Sequence, residues 1–194
     1  MLFALAQLNP AAGALQQNAA GIRRFYEKAR ARGADLVIFP EMALTGTPLH
    51  DLLHYGDFLA EIDTVTGRKL APLTASSAAA LLVGTPFQRE GRLCNGVLLM
   101  ERGRITACYP KTVLEKRAPF EEERYFSPAA GPGRWEPRGK LALSIVPGES
   151  ALSAGAAGLP PRPRSPERRL LINPAASPYS LGRRNPGAHP CGDR

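Results

Sequence analysis

"ADLVIFPEMALTG", residues 34–46, decides how this chain is read. The run Leu36 to Phe39 is apolar throughout, as expected of a strand covered on both faces. It stops at Pro40 and then an acid, Glu41. A carboxylate just past the C-terminal end of a buried strand stands where open α/β sheets bind their ligands. Upstream, apolar residues recur at Leu15, Ala19, Ile22, Tyr26 and Ala29, which predicts a helix over 15–31. Gly33 is its expected C-terminal stop. Before it, Leu2 to Leu8 reads as another buried strand, closed by Pro10 and Gly13. Strand, helix and strand together make a right-handed parallel crossover and an α/β fold.

Downstream, part of Phe58 to Ser77 is expected to be helical, and "AAALLVGTPF" supplies a third buried strand. "LCNGVLLM", "ERGR" and "ITACYPK" predict a hairpin turning at Arg102–Gly103. Lys111 closes the second strand of that hairpin as Glu41 closes its own. A lysine beside a carboxylate can support negative charge on a reacting carbonyl. An acidic run follows at Glu121, Glu122 and Glu123. Taken singly, each of these is better explained as solvated or exposed strand-end charge. Leu141 to Val146 and Leu170 to Ile172 are the later strand candidates.

The 194 residues suit one domain. No apolar run approaches the ~20 residues of a membrane span, and the N-terminus has no basic leader or cleavage site. Cys94, Cys108 and Cys191 show no metal spacing and read as free thiols of a reducing cytoplasm. The net charge is +8, but most of it lies beyond residue 130, in stretches such as "GLPPRPRSPERR". Aromatic residues are sparse there, so a nucleic-acid surface is not expected. A membrane partner and a cofactor are not expected either.

The order of these features resembles the nitrilase, or carbon–nitrogen hydrolase, superfamily. It is most similar to the N-terminal glutaminase domain of glutamine-dependent NAD synthetases. The resemblance is carried by "ALAQLNPAAGALQQNAAGI", "GADLVIFPEMALTGTPLHDLL", "LLVGTP", "LCNGVLLMERGRITACYPKTVL", "FEEERYFSP" and "INPAASPYSLGRR". It implies an α-β-β-α sandwich, incomplete here at its C-terminal end. The chain then divides into a well-matched part, 1–130, a degenerate Pro/Gly/Arg-rich part, 131–170, a family strand with its ASPY motif, 171–184, and a tail, 185–194. It also implies a glutamate–lysine–cysteine triad acting on glutamine or another small amide. By motif, Glu41 is the base, Lys111 the oxyanion support and Glu122 a second glutamate. Ser177 and Tyr179 fall in the region that helps hold the substrate. Family members pack against a twin subunit, so a homo-oligomer, or association through exposed apolar surface, is expected.

The cysteine is missing from its place. The motif position falls in "LALSIVPGES", on Gly148 or Pro147, with Ser144 and Ser150 nearby but out of register. Neither glycine nor proline can attack a carbonyl. Glu115, Lys116 and Arg117 replace the family's Pro-Asn-Tyr step. The sequence therefore predicts an impaired or inactive amidase domain. The alternatives are an active amidase with a relocated nucleophile and a non-catalytic interaction module.

Overall fold

A computed structural model describes residues 1–116, 121–129, 133–135, 141–145, 147, 168–172 and 174. Five strands form the first sheet in sequence order: β1 (Phe3–Leu5), β2 (Leu36–Ile38), β3 (Ala80–Arg89), β4 (Arg92–Glu101) and β5 (Arg104–Pro110). β1, β2 and β3 are parallel, whereas β4 and β5 run as antiparallel meanders. The first crossover passes through α1 (Leu15–Ala31), the helix expected from its apolar stripe. Gly33 follows it at φ +80°, a conformation that glycine adopts without strain. The second crossover uses α2 (Gly56–Val65), a π turn at Thr66–Leu70 and a 3-10 turn at Ala71–Thr74.

The meanders explain themselves locally. At the β4–β5 turn, Arg102 and Gly103 both have positive φ, the backbone that matches hairpin twist. The same geometry recurs at Glu90–Gly91, where Arg89 pairs with Arg92. The sequence reading had both flanking strands but not this second tight turn, because "REGR" lacks the Asn-Gly or Asp-Gly signature. The first strand is shorter than expected, Phe3–Leu5 instead of Leu2–Leu8.

Alternation along the strands sorts two cores. Leu81, Val83, Cys94, Leu98 and Met100 face α1 and α2. Leu36, Leu82, Val97, Leu99 and Tyr109 face the other way, packed with Ile145 and Ile172. Those two belong to a second sheet, β6 (Gly133–Trp135), β7 (Leu141–Ile145) and β8 (Arg168–Ile172), with β7 and β8 parallel. Helices, first sheet and second sheet are thus three layers of the expected nitrilase-like sandwich. β6 is a strand the sequence did not announce. Among the described residues no helix is long and apolar enough to cross a membrane.

Candidate active site

Strand direction brings the site residues together. β2 and β5 point the same way, so Glu41, after β2, and Lys111, after β5, emerge at one edge of the sheet. β4 runs oppositely, so its beginning lies at that edge too. Gly96 pairs with Pro110, and the next rung sets Asn95 against Lys111, whose N–H donates to the Asn95 carbonyl at 2.8 Å.

Glu41 does not hang in solvent. Residues 41–46 are all buried, in a tight turn that folds back over β3. The Leu44 N–H donates to the Gly84 carbonyl. Gly84 makes this possible: a Cβ there would lie 2.1 Å from the Pro40 carbonyl oxygen and 2.4 Å from the Glu41 Cα. Met42 takes up a positive φ of 56°, unusual for its residue type. From the other side, Asn18 of α1 donates to the carbonyls of Leu44 and Ala11 and accepts from the Ala11 N–H. One helical amide thereby ties the loop after β2 to the loop before α1.

Three charged side chains meet there, all buried. Lys111 Nζ lies 2.8 Å from Glu41 Oε1 and 2.7 Å from Glu122 Oε2. Burial by itself would push the Lys111 ammonium down, but the two carboxylates beside it outweigh that and hold it above the ordinary lysine value. Glu122 comes from a short 3-10 turn, Glu122–Arg124, and is fixed by the Glu115 N–H at 2.8 Å. The acidic run splits by direction. Glu122 turns inward, while Glu121 and Glu123 stay outside and pair with Arg124 and Lys116.

Asn95 completes the cluster, and sequence reading missed it. Its Nδ2 donates to Glu41 Oε1 and to Glu122 Oε1, each at 2.6 Å. The available signal was an asparagine inside the otherwise apolar "LCNGVLLM", a residue type that strands disfavour unless it has partners.

The two described thiols lie elsewhere. Cys94 precedes Asn95 on β4 and so points to the opposite face, into the helix-side core, where Cys108 packs as well. Burial pushes the Cys94 thiol up, away from the reactive thiolate, despite Arg89 and Arg92 nearby. Of the expected nucleophile segment, Pro147 is buried. Gly148, Ser150, Ser177, Tyr179 and Cys191 lie outside the described residues, as do the side chains of Ser144 and its neighbours on β7. Among the described residues no group of His, Cys, Asp and Glu could hold a metal ion.

The arrangement can do definite chemistry. A carboxylate at a fixed angle can take a proton from an incoming nucleophile, and a buried ammonium beside it can stabilise an oxyanion.

Residues 2–157 match the family model described as carbon-nitrogen hydrolase. Among curated proteins, the glutamine-dependent NAD(+) synthetase of Synechocystis sp. is 39% identical over 138 residues, 66% of this chain and 24% of that protein. The one from Rhodobacter capsulatus is 33% identical over 181 residues, 92% of this chain and 31% of that protein. The chain thus spans about a quarter to a third of these relatives' length. Among solved structures, the glutamine-dependent NAD+ synthetase from Acinetobacter baumannii superposes with a TM-score of 0.76 at 22% identity, covering 93% of this chain and 33% of that one. An amidase from Nesterenkonia sp. superposes at 0.73 and 21%, covering 92% and 66%. These superpositions show a shared fold.

Proposed function

Because the chain belongs to the carbon–nitrogen hydrolase family, we propose that it is an amidase domain of the glutaminase kind, keeping the proton-handling and oxyanion groups but lacking the thiol. Glu41 is the base, Lys111 the oxyanion support, and Glu122 the carboxylate that holds Lys111 in place. The observation that carries this reading is the convergence of Glu41, Lys111 and Glu122 in one buried cluster, while Cys94 and Cys108 pack on the opposite side of the sheet. Kinship with glutamine-dependent NAD synthetases supports a primary amide such as glutamine as the ligand. The motif position of the nucleophile, Gly148 or Pro147, offers no attacking atom.

Without a covalent acyl intermediate, amide hydrolysis loses several powers of ten in rate. The purified chain is expected to release no ammonia from glutamine above background. Gly148→Cys alone is expected to leave it so, because the Pro/Arg-rich segment 158–167 follows where the resemblance implies a helix. Ammonia release that disappears both in Glu41→Ala and on thiol alkylation would overturn the proposal in favour of a relocated cysteine.

A further inference from the structure

Asn95 is 1% exposed, in a strand where its neighbours are Cys94 and Gly96. A buried amide destabilises a fold unless its donors are used. Here one nitrogen serves two carboxylates, Glu41 Oε1 and Glu122 Oε1. Lys111 Nζ reaches the same two oxygens, at 2.8 Å and 3.0 Å. Two nitrogens therefore bridge one pair of oxygens. They are not equivalent. The ammonium is a point charge on a flexible stem. The amide is planar, on a short side chain, and its backbone is locked into the β3–β4–β5 ladder. The Asn95 main-chain carbonyl also accepts from the Lys111 main-chain N–H. Asn95 thus bonds both carboxylates through its side chain and the Lys111 main chain through its own. Among the described residues its Oδ1 is buried without a partner, because the nitrogen faces the carboxylates.

We propose that Asn95 is the positioning residue of this site: its amide aims the Glu41 carboxylate and holds it beside Glu122, while Lys111 supplies the charge. The proposal rests on Glu41 being the base, but its test does not depend on turnover, so the absence or presence of ammonia release leaves it standing. Thermal unfolding of the full chain at pH 7 is compared for wild type, Asn95→Asp, Glu41→Gln and the double variant. Asn95→Asp replaces the shared donor with a third carboxylate and should lower Tm by about 10 °C. Glu41→Gln, which lowers Tm in the wild-type background, should raise it in the Asn95→Asp background and recover at least half the loss, because the glutamine amide can donate to the new aspartate. That reversal of sign needs the two side chains to be strongly coupled at short range; a residue that only fills space would not produce it. Equal losses from Glu41→Gln in both backgrounds would overturn the proposal. If Asn95→Asp does not fold, the same cycle is run with Asn95→Ser, too short to reach Glu41. There the loss from Glu41→Gln should shrink to less than half its wild-type size, and an unchanged loss would refute the assignment.

Discussion

Lys111 shows how tightly the cluster is balanced. Removing the ammonium leaves two buried carboxylates facing each other across Asn95. Breaking a buried ion pair in this way costs about 3–5 kcal/mol, so Lys111→Met should be strongly destabilised in urea unfolding. The deficit has a pH signature. Lys111 is held above its ordinary value of 10.5, so its stabilising contribution is complete below that value and fades as pH rises through the higher folded-state one. The gap between wild type and Lys111→Met should be constant near neutrality and narrow above about pH 10.5. Tyr109, pushed up to about 12 mainly by burial, weakens both proteins alike there and cancels in the comparison. A gap that stays constant into strong alkali would contradict the ion network. Of these residues, the strand-end places of Glu41 and Lys111 were legible in the sequence, but each alone read better as loop charge, and only their order within the family resemblance singled them out. Glu122 could be separated from Glu121 and Glu123 only by resemblance, since direction within an acidic run depends on a turn. Asn18 acts through tertiary partners with no local pattern to mark it, whereas Asn95 is marked only as an amide in an otherwise apolar strand.

The elements were more legible than the contacts between them. The apolar stripe gave α1 its full extent, because a helix packed on a sheet must repeat its buried positions every turn. The short β1 and the β3–β4 turn were harder to see. One stops where pairing with β2 stops, and the other relies on a glutamate in a left-handed conformation. Least visible was Gly84, a glycine in mid-strand whose role is to let the Glu41 turn lie directly on β3. Gly84→Ala should therefore act on the site through the backbone. Overpacking of this kind costs about 1–3 kcal/mol, and the Leu44 to Gly84 hydrogen bond should be lost with it. Amide exchange at Leu44 that stays as slow in Gly84→Ala as in wild type would show that the turn tolerates the methyl group.

At the scale of the molecule, the sheet ends in β1, which pairs only with β2 among the described residues. Leu5 is 71% exposed there, with Met1 and Leu2 also open. A free edge lined with apolar side chains invites pairing between copies. The chain should associate as its concentration rises, and Leu5→Lys should reduce that association, as measured by sedimentation velocity. A wild-type chain that stays monomeric at high concentration would argue against this edge as the contact. The buried cluster has a different kind of consequence. Among the described residues, Lys111 is paired with both Glu41 and Glu122 and no thiol takes part in that ion network, so a change at the proposed nucleophile position would leave these ion pairs in place. If, as proposed, the thiol is absent, its absence breaks none of these pairs, whereas loss of the lysine would leave two buried carboxylates uncompensated. The ion network can thus persist in a domain of this family whether or not that domain turns over an amide.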